Sequence, residues 1–287
     1  MYAIYTVHSY SITYLDSDNT TIIETVRVPS GEYIPLPKTN AYKDDSDLDL
    51  YSTYALLGYS RLKDGTELDV IALNPDDSFK LNIKSNQDLT LYPVFKETSV
   101  RNNVLDVKYL NIGTAGNLYL KDKSYKFKGK IVLPNTINGV AVKSISNRVF
   151  ENQTEITHIF LEDPATSQLN LIDEFAFSQN SSLKYVELPT NNYVDINKRV
   201  FEGCWYLFDE SINIELIKEF FQHVNTIGDS AFYDCRYGFV NGVYLYGNIR
   251  SVGDSAFYDL RFGLNYIQIG DENNYITPSS TSLSFGS

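Results

Sequence analysis

The chain has 287 residues, 43% of them hydrophobic, which suffices for a sizeable core and suggests two domains. Its net charge of −12 repels phosphate backbones and anionic lipid headgroups, which argues against nucleic acid and acidic membrane as partners. No apolar run is long enough to cross a bilayer.

In chain order, Met1 to Val7 has neither a basic segment nor a sustained apolar run, so no export signal is expected there. Short strands follow at Tyr10–Tyr14, Glu24–Val28 and Leu89–Phe95, punctuated by turns at Pro29-Ser30-Gly31 and Lys63-Asp64-Gly65. Between them lies an acidic loop with Asp44, Asp45, Asp47 and Asp49. A calcium loop counted from Asp45 needs Gly and Glu where Leu50 and Leu56 stand, so a solvated loop is expected and no metal. The polar stretch Lys96 to Asn103 reads as a connector, giving a first domain at 1–97 and a second at 98–287.

The second domain repeats one phrase: a β-branched residue, four positions, then Phe. The copies are Ile145–Phe150, Ile172–Phe177, Ile196–Phe201, Ile227–Phe232 and Val252–Phe257. The Phe residues recur at intervals of 27, 24, 31 and 25 positions, the range of a stacked solenoid repeat in which each unit covers its neighbour's anchor. A second phrase follows most copies: Ile156, Ile159, Leu161; Leu183, Val186, Leu188; Val240, Val243, Leu245; Leu264, Ile267, Ile269. Its closing period of two predicts one strand per unit. The third unit departs, and Ile214 to His223 reads as an inserted amphipathic helix packed on the solenoid. Cys204 and Cys235 each stand three positions after a Phe and read as small buried plugs.

The phrases Ile227–Cys235 and Val252–Phe257 resemble the BspA-type leucine-rich repeats of bacterial surface proteins, as does the opening run Gly129–Gly139. The first domain resembles the internalin-type B repeat, or Listeria–Bacteroides repeat, a small β-grasp-like module. Its marks are the opening strand, Val26 to Pro37, the Leu57-Gly58-Tyr59 bend and Asp88–Tyr92, with Tyr59 and Phe95 where that family usually has Trp. The two resemblances imply a mainly β chain: a β-grasp-like domain, then a leucine-rich-repeat solenoid of about five units with a short tail. They also imply display on a surface.

No triad, phosphate-binding loop, dinucleotide fingerprint or zinc-protease motif occurs, and His8, His158 and His223 lie in no ligand pattern, so a non-enzymatic protein without cofactor is expected. Strand alternation points the residues between the buried anchors outward. His158, Phe160, Tyr185, Glu187, Tyr244, Tyr246, Tyr266 and Gln268 would then form an exposed aromatic strip for protein partners or host glycans. Surface-type modules without an export signal fit a bacteriophage virion, reached by lysis; the alternatives are a fragment of a bacterial cell-surface adhesin, a cytosolic repeat protein and, last, an enzyme of unknown type. The expected partners are therefore other virion or cell-surface proteins, with no nucleic acid and no membrane insertion.

Overall fold

The structure is a computed structural model that describes residues 7–44, 48–261, 267–269 and 275–276. It is mainly β, with 36% strand and 6% helix. The chain divides into two compact units, Met1–Asn103 and Val104–Ser287.

Among the described residues the first unit holds seven strands: β1 Ser9–Leu15, β2 Ile22–Pro29, β3 Tyr33–Pro35, β4 Ser52–Ser60, β5 Leu73–Asn74, β6 Asp77–Lys84 and β7 Leu89–Ser99. A four-stranded sheet runs β2-β1-β7-β4, and a smaller one runs β3-β6-β5. The central pair is parallel, with Ile12 opposite Leu89 and Tyr14 opposite Leu91, while the outer pairs β1–β2 and β4–β7 are antiparallel. Alternation along β1 sends Ile12 and Tyr14 into a core with Val28, Ile34, Tyr59, Leu81 and Leu91. Tyr14 and Tyr59 meet edge to face at 4.9 Å, and the Tyr14 hydroxyl donates to the Pro35 carbonyl. The stretch after Phe95 is not a loose connector. β7 pairs with β4 as far as Ser99 opposite Ser52, and the next residue, Val100, is buried with its N–H on the Tyr51 carbonyl.

The second unit is a β-solenoid of about five turns. All five anchors, Phe150, Phe177, Phe201, Phe232 and Phe257, are buried in one row. Successive rings stack at 5.5, 5.6, 5.3 and 5.1 Å between centroids, with interplanar angles of 12° or less. Each ring removes one neighbour's face from water, worth roughly 1.5–3 kcal/mol per buried side chain.

Every turn but the third carries two strand segments among the described residues, not the one expected. The β-branched residue that opens each phrase is itself a strand. Leu110–Ile112, Asn117–Leu120, Ser144–Ile145, Leu171–Ile172, Val194–Ile196, Val224–Ile227 and Ser251–Val252 form a seven-stranded sheet, parallel except for its first pair. The expected strands form two further sheets. One joins Gly129–Leu133, Ile156–Leu161 and Tyr185–Val186; the other joins Val243–Leu245, Ile267–Ile269 and Tyr275–Ile276. Leu264 lies outside the described residues.

Between the two segments, the turn carrying Phe is also paired coil to coil. The N–H groups of Arg148, Phe150 and Asn152 donate to the carbonyls of Glu174, Ala176 and Ser178, and the pattern repeats through Ser230, Phe232 and Asp234 onto Asp254, Ala256 and Tyr258. Backbone at positive φ two residues before and two after each Phe makes this possible. The first set is Arg148, Phe175, Arg199, Ser230 and Ser255; the second is Asn152, Gln179, Gly203, Asp234 and Asp259. Left-handed geometry at non-glycine residues has a cost. Here it turns alternate N–H groups toward the next coil.

The helix α1, Ile214–Gln222, begins as expected, with the Asn213 side chain accepting from the Glu215 N–H at 2.9 Å. It buries Ile217, Phe220 and Phe221. The Phe220 ring meets Phe201, Phe208 and Phe232, so the helix fills the core where the third unit lacks its second strand.

Candidate functional site

The strand-face strip is not an exposed surface. Phe160, Tyr185 and Tyr244 are 0%, 4% and 1% exposed, and Glu187 is 9% exposed. His158, Tyr246 and Gln268 are partly buried, and Tyr266 lies outside the described residues. The outward expectation failed because it assumed one buried face per sheet, whereas short parallel strands here are buried on both faces, as parallel sheets commonly are. The polar members are bound into the structure. Glu187 accepts from the Leu161 N–H at 2.9 Å, and the Tyr244 hydroxyl donates to the Asn241 carbonyl at 2.9 Å. Burial holds the His158 pKa down at about 3; repulsion from the Lys130 and Lys184 ammonium groups adds to this, and Asp209 opposes it.

The cysteines fill the buried slot between coils. The Cys204 thiol points at the Phe177 carbonyl at 3.1 Å and the Cys235 thiol at the Phe201 carbonyl at 3.3 Å. Both are free thiols, and burial pushes both pKa values well up, so they behave as small apolar plugs. Asp45 and Asp47 lie outside the described residues, and Asp49 accepts from the Tyr51 N–H. Among the described residues no group of three or more His, Cys, Asp or Glu is placed to hold a metal ion, and no helix is long and apolar enough to cross a membrane.

An exposed aromatic surface lies instead on the turn edge. It is built by the positions that follow each Phe by one, two, four and five. In the first two units these are small or polar: Glu151, Asn152, Thr154, Glu155, then Ser178, Gln179, Ser181, Ser182. In the last three, aromatic side chains and then Asp–Arg pairs enter these positions. Position one holds Tyr233 and Tyr258, whose rings stack at 5.7 Å and 3°. Position five holds Tyr206 and Tyr237, stacked at 5.2 Å and 17°. Tyr206, Tyr237 and Tyr258 are 40%, 40% and 39% exposed. Position four holds Trp205, with the Arg236 guanidinium 5.2 Å from its ring centre, and then Arg261.

Each arginine pairs with the aspartate two residues earlier. Arg236 grips Asp234 through both carboxylate oxygens, at 2.5 and 3.1 Å, and Arg261 grips Asp259 in the same way. These contacts raise the pKa of both guanidinium groups and hold the Asp259 carboxyl below its usual range. The backbone fixes the rungs: the Gly203 N–H donates to the Tyr233 carbonyl at 2.9 Å and the Tyr237 N–H to the Trp205 carbonyl at 2.8 Å. The signal for this edge was in the sequence, in the columns that appear when the units are aligned on Phe, but it lay outside the strand phrase.

The repeat anatomy agrees with a family comparison. The model for the BspA type leucine-rich repeat region matches six copies over residues 123–215 and 205–284, more than half of the chain. The chain belongs to that family. None of the curated proteins matches it. Among solved structures it is similar to a leucine-rich repeat protein of T. pallidum, at 19% identity and a TM-score of 0.45, over 57% of this chain and 71% of that one. It is also similar to a leucine-rich repeat protein of Bacteroides ovatus, at 21% and 0.40, over 55% of this chain and 38% of that one. A third is a leucine-rich cell surface protein of Faecalibacterium prausnitzii, at 15% and 0.36, over 58% of this chain and 54% of that one. The chain thus spans only part of the length of the latter two.

Proposed function

We propose that this chain is a non-enzymatic, surface-displayed binding protein whose contact surface is the aromatic turn edge of its last three repeats. The observation that carries the reading is the double column Tyr206–Tyr237 and Tyr233–Tyr258, in which Tyr206, Tyr237 and Tyr258 are exposed and Tyr233 is half-buried. Tyrosines offer large contact area and a polar tip at small entropic cost, and these are held in place before any partner arrives. Repeat proteins bind along extended faces of this kind, and the family suggests a protein-binding or adhesin-like role. The buried Phe160, Tyr185 and Tyr244 are core residues in this reading, not contact residues.

The parallel β1–β7 pair between antiparallel edges supports a β-grasp-like reading of the first unit, where it would act as a spacer or second binding module. For the setting we keep display on a phage particle. A gene neighbourhood of envelope-anchored surface proteins would replace that with a bacterial adhesin and leave the contact surface unchanged.

The reading is tested by cosedimentation of the purified chain with particles or cell envelopes from its source. The wild type should pellet with them, and Tyr206→Ala with Tyr237→Ala should stay in solution with an unchanged melting curve. Equal pelleting of both would remove the turn edge from the proposal.

A further inference from the structure

The turn edge has three properties that select among partners. The rings of each column lie parallel, at 3° and 17°, so each spends a face on its neighbour and turns edges and hydroxyls outward. Sugar rings stack on open aromatic faces, so the arrangement favours a protein surface. The rungs repeat at 5.2 and 5.7 Å, a distance fixed by the rise from coil to coil. A partner that meshes with more than one rung needs the same rise. The edge is also electrically balanced. Asp234 pairs with Arg236, Asp259 with Arg261 and Glu202 with Arg199, so these groups sum to zero on a molecule whose net charge is −12.

We infer that the partner of this edge is a second copy of the same chain, packed edge to edge about a two-fold axis, an inference that rests on the edge being a contact surface. A second copy carries the same rise by construction, so its tyrosine columns interleave with these. Elsewhere two copies of so acidic a chain repel each other; on the balanced edge they do not. The fourth and fifth units set Asp two positions after Phe and Arg four positions after, as Asp234 and Arg236 and as Asp259 and Arg261. A two-fold axis that runs along the two columns and midway between them brings the Asp column of one copy against the Arg column of the other, the self-complementarity that an isologous dimer requires.

Sedimentation velocity of the full chain over a range of concentrations tests this. The wild type should form dimers, and Tyr206→Ala with Tyr237→Ala should raise the dissociation constant by at least about tenfold, the loss of one interface hot spot. Two charge variants make the decisive arm. Asp234→Arg with Asp259→Arg should be monomeric alone, as should Arg236→Asp with Arg261→Asp. Mixed together, they should restore a dimer, a rescue that misfolded protein cannot give. A wild type that stays monomeric overturns the inference, as do charge variants that dimerise alone as well as the wild type. If a monomeric wild type binds a glycan array in a manner lost with Tyr206 and Tyr237, the occupant is a sugar. If it still cosediments through those tyrosines, the contact-surface reading stands and only self-pairing falls.

Discussion

His158 shows what burying the strand face does to a single residue. Its ring is held neutral by burial and by Lys130 and Lys184, with the pKa down at about 3 against an ordinary 6.5. In the unfolded chain the imidazole binds a proton from about pH 6.5 downward, while in the folded protein it does not. The stabilisation is therefore complete above pH 6.5 and is lost as pH falls toward 3. The depressed carboxyls of Asp18, Asp69, Asp77 and Asp259 act in the same direction, but only below about pH 5, where the unfolded carboxyls begin to protonate. Urea unfolding between about pH 7 and pH 5 thus isolates the histidine. We expect the wild type to lose on the order of 1–3 kcal/mol over that window and His158→Gln to lose much less. An equal loss in both would show that the ring is hydrated. The anchor Phe201 answers to packing instead. It stacks between Phe177 and Phe232, and Phe201→Ala should cost about 3–5 kcal/mol by opening a cavity between coils.

Among the elements, what could be read ahead of the structure was whatever carries a large side chain at a fixed spacing. The Phe row could be read because each copy keeps four positions between a β-branched residue and its ring. Helix α1 could be read because Leu216, Ile217, Phe220 and Phe221 keep helical spacing; its Asn213 cap was not read. The seven-stranded sheet could not, since most of its strands are only two to four residues long, too short for a period to show. The turn ladder was hidden as well, because Arg148, Phe175 and Arg199 take left-handed backbone with residues that give no hint of it. The orientation of the strand face failed for the same reason as the strip: alternation marks which residues share a face, not whether that face meets water. One glycine tests how tightly the coils close. A Cβ on Gly228 would sit 2.6 Å from the Asn197 carbonyl carbon, which is backbone and cannot step aside. Gly228→Ala should cost about 1–3 kcal/mol in denaturant unfolding, although alanine normally favours folding over glycine at an unstrained site. A neutral or stabilising result would mean that the fourth coil stands further from the third.

At the scale of the whole chain, the sequence placed a boundary at 97/98 because Lys96 to Asn103 is polar, yet polar residues on an edge strand are ordinary. The pairs Thr53–Thr98 and Ser52–Ser99 continue the sheet through that stretch, and Val100 closes it as a fully buried side chain. Val104 then opens the solenoid, bridging to Val132 in parallel. The two compact units accordingly meet at Asn103 and Val104. We propose that each folds alone, and the position of the cut is the test. A fragment of residues 1–103 keeps Val100 in its core, so it should unfold cooperatively in urea. A fragment of residues 1–97 loses that side chain and the last two β4–β7 pairs, and should be less stable by about 2 kcal/mol or more, the worth of one buried Val alone. Equal midpoints for the two fragments would return the boundary to residue 97. If residues 1–103 do not fold at all without the solenoid, the two units share one cooperative core, and a single transition in the intact chain would confirm it.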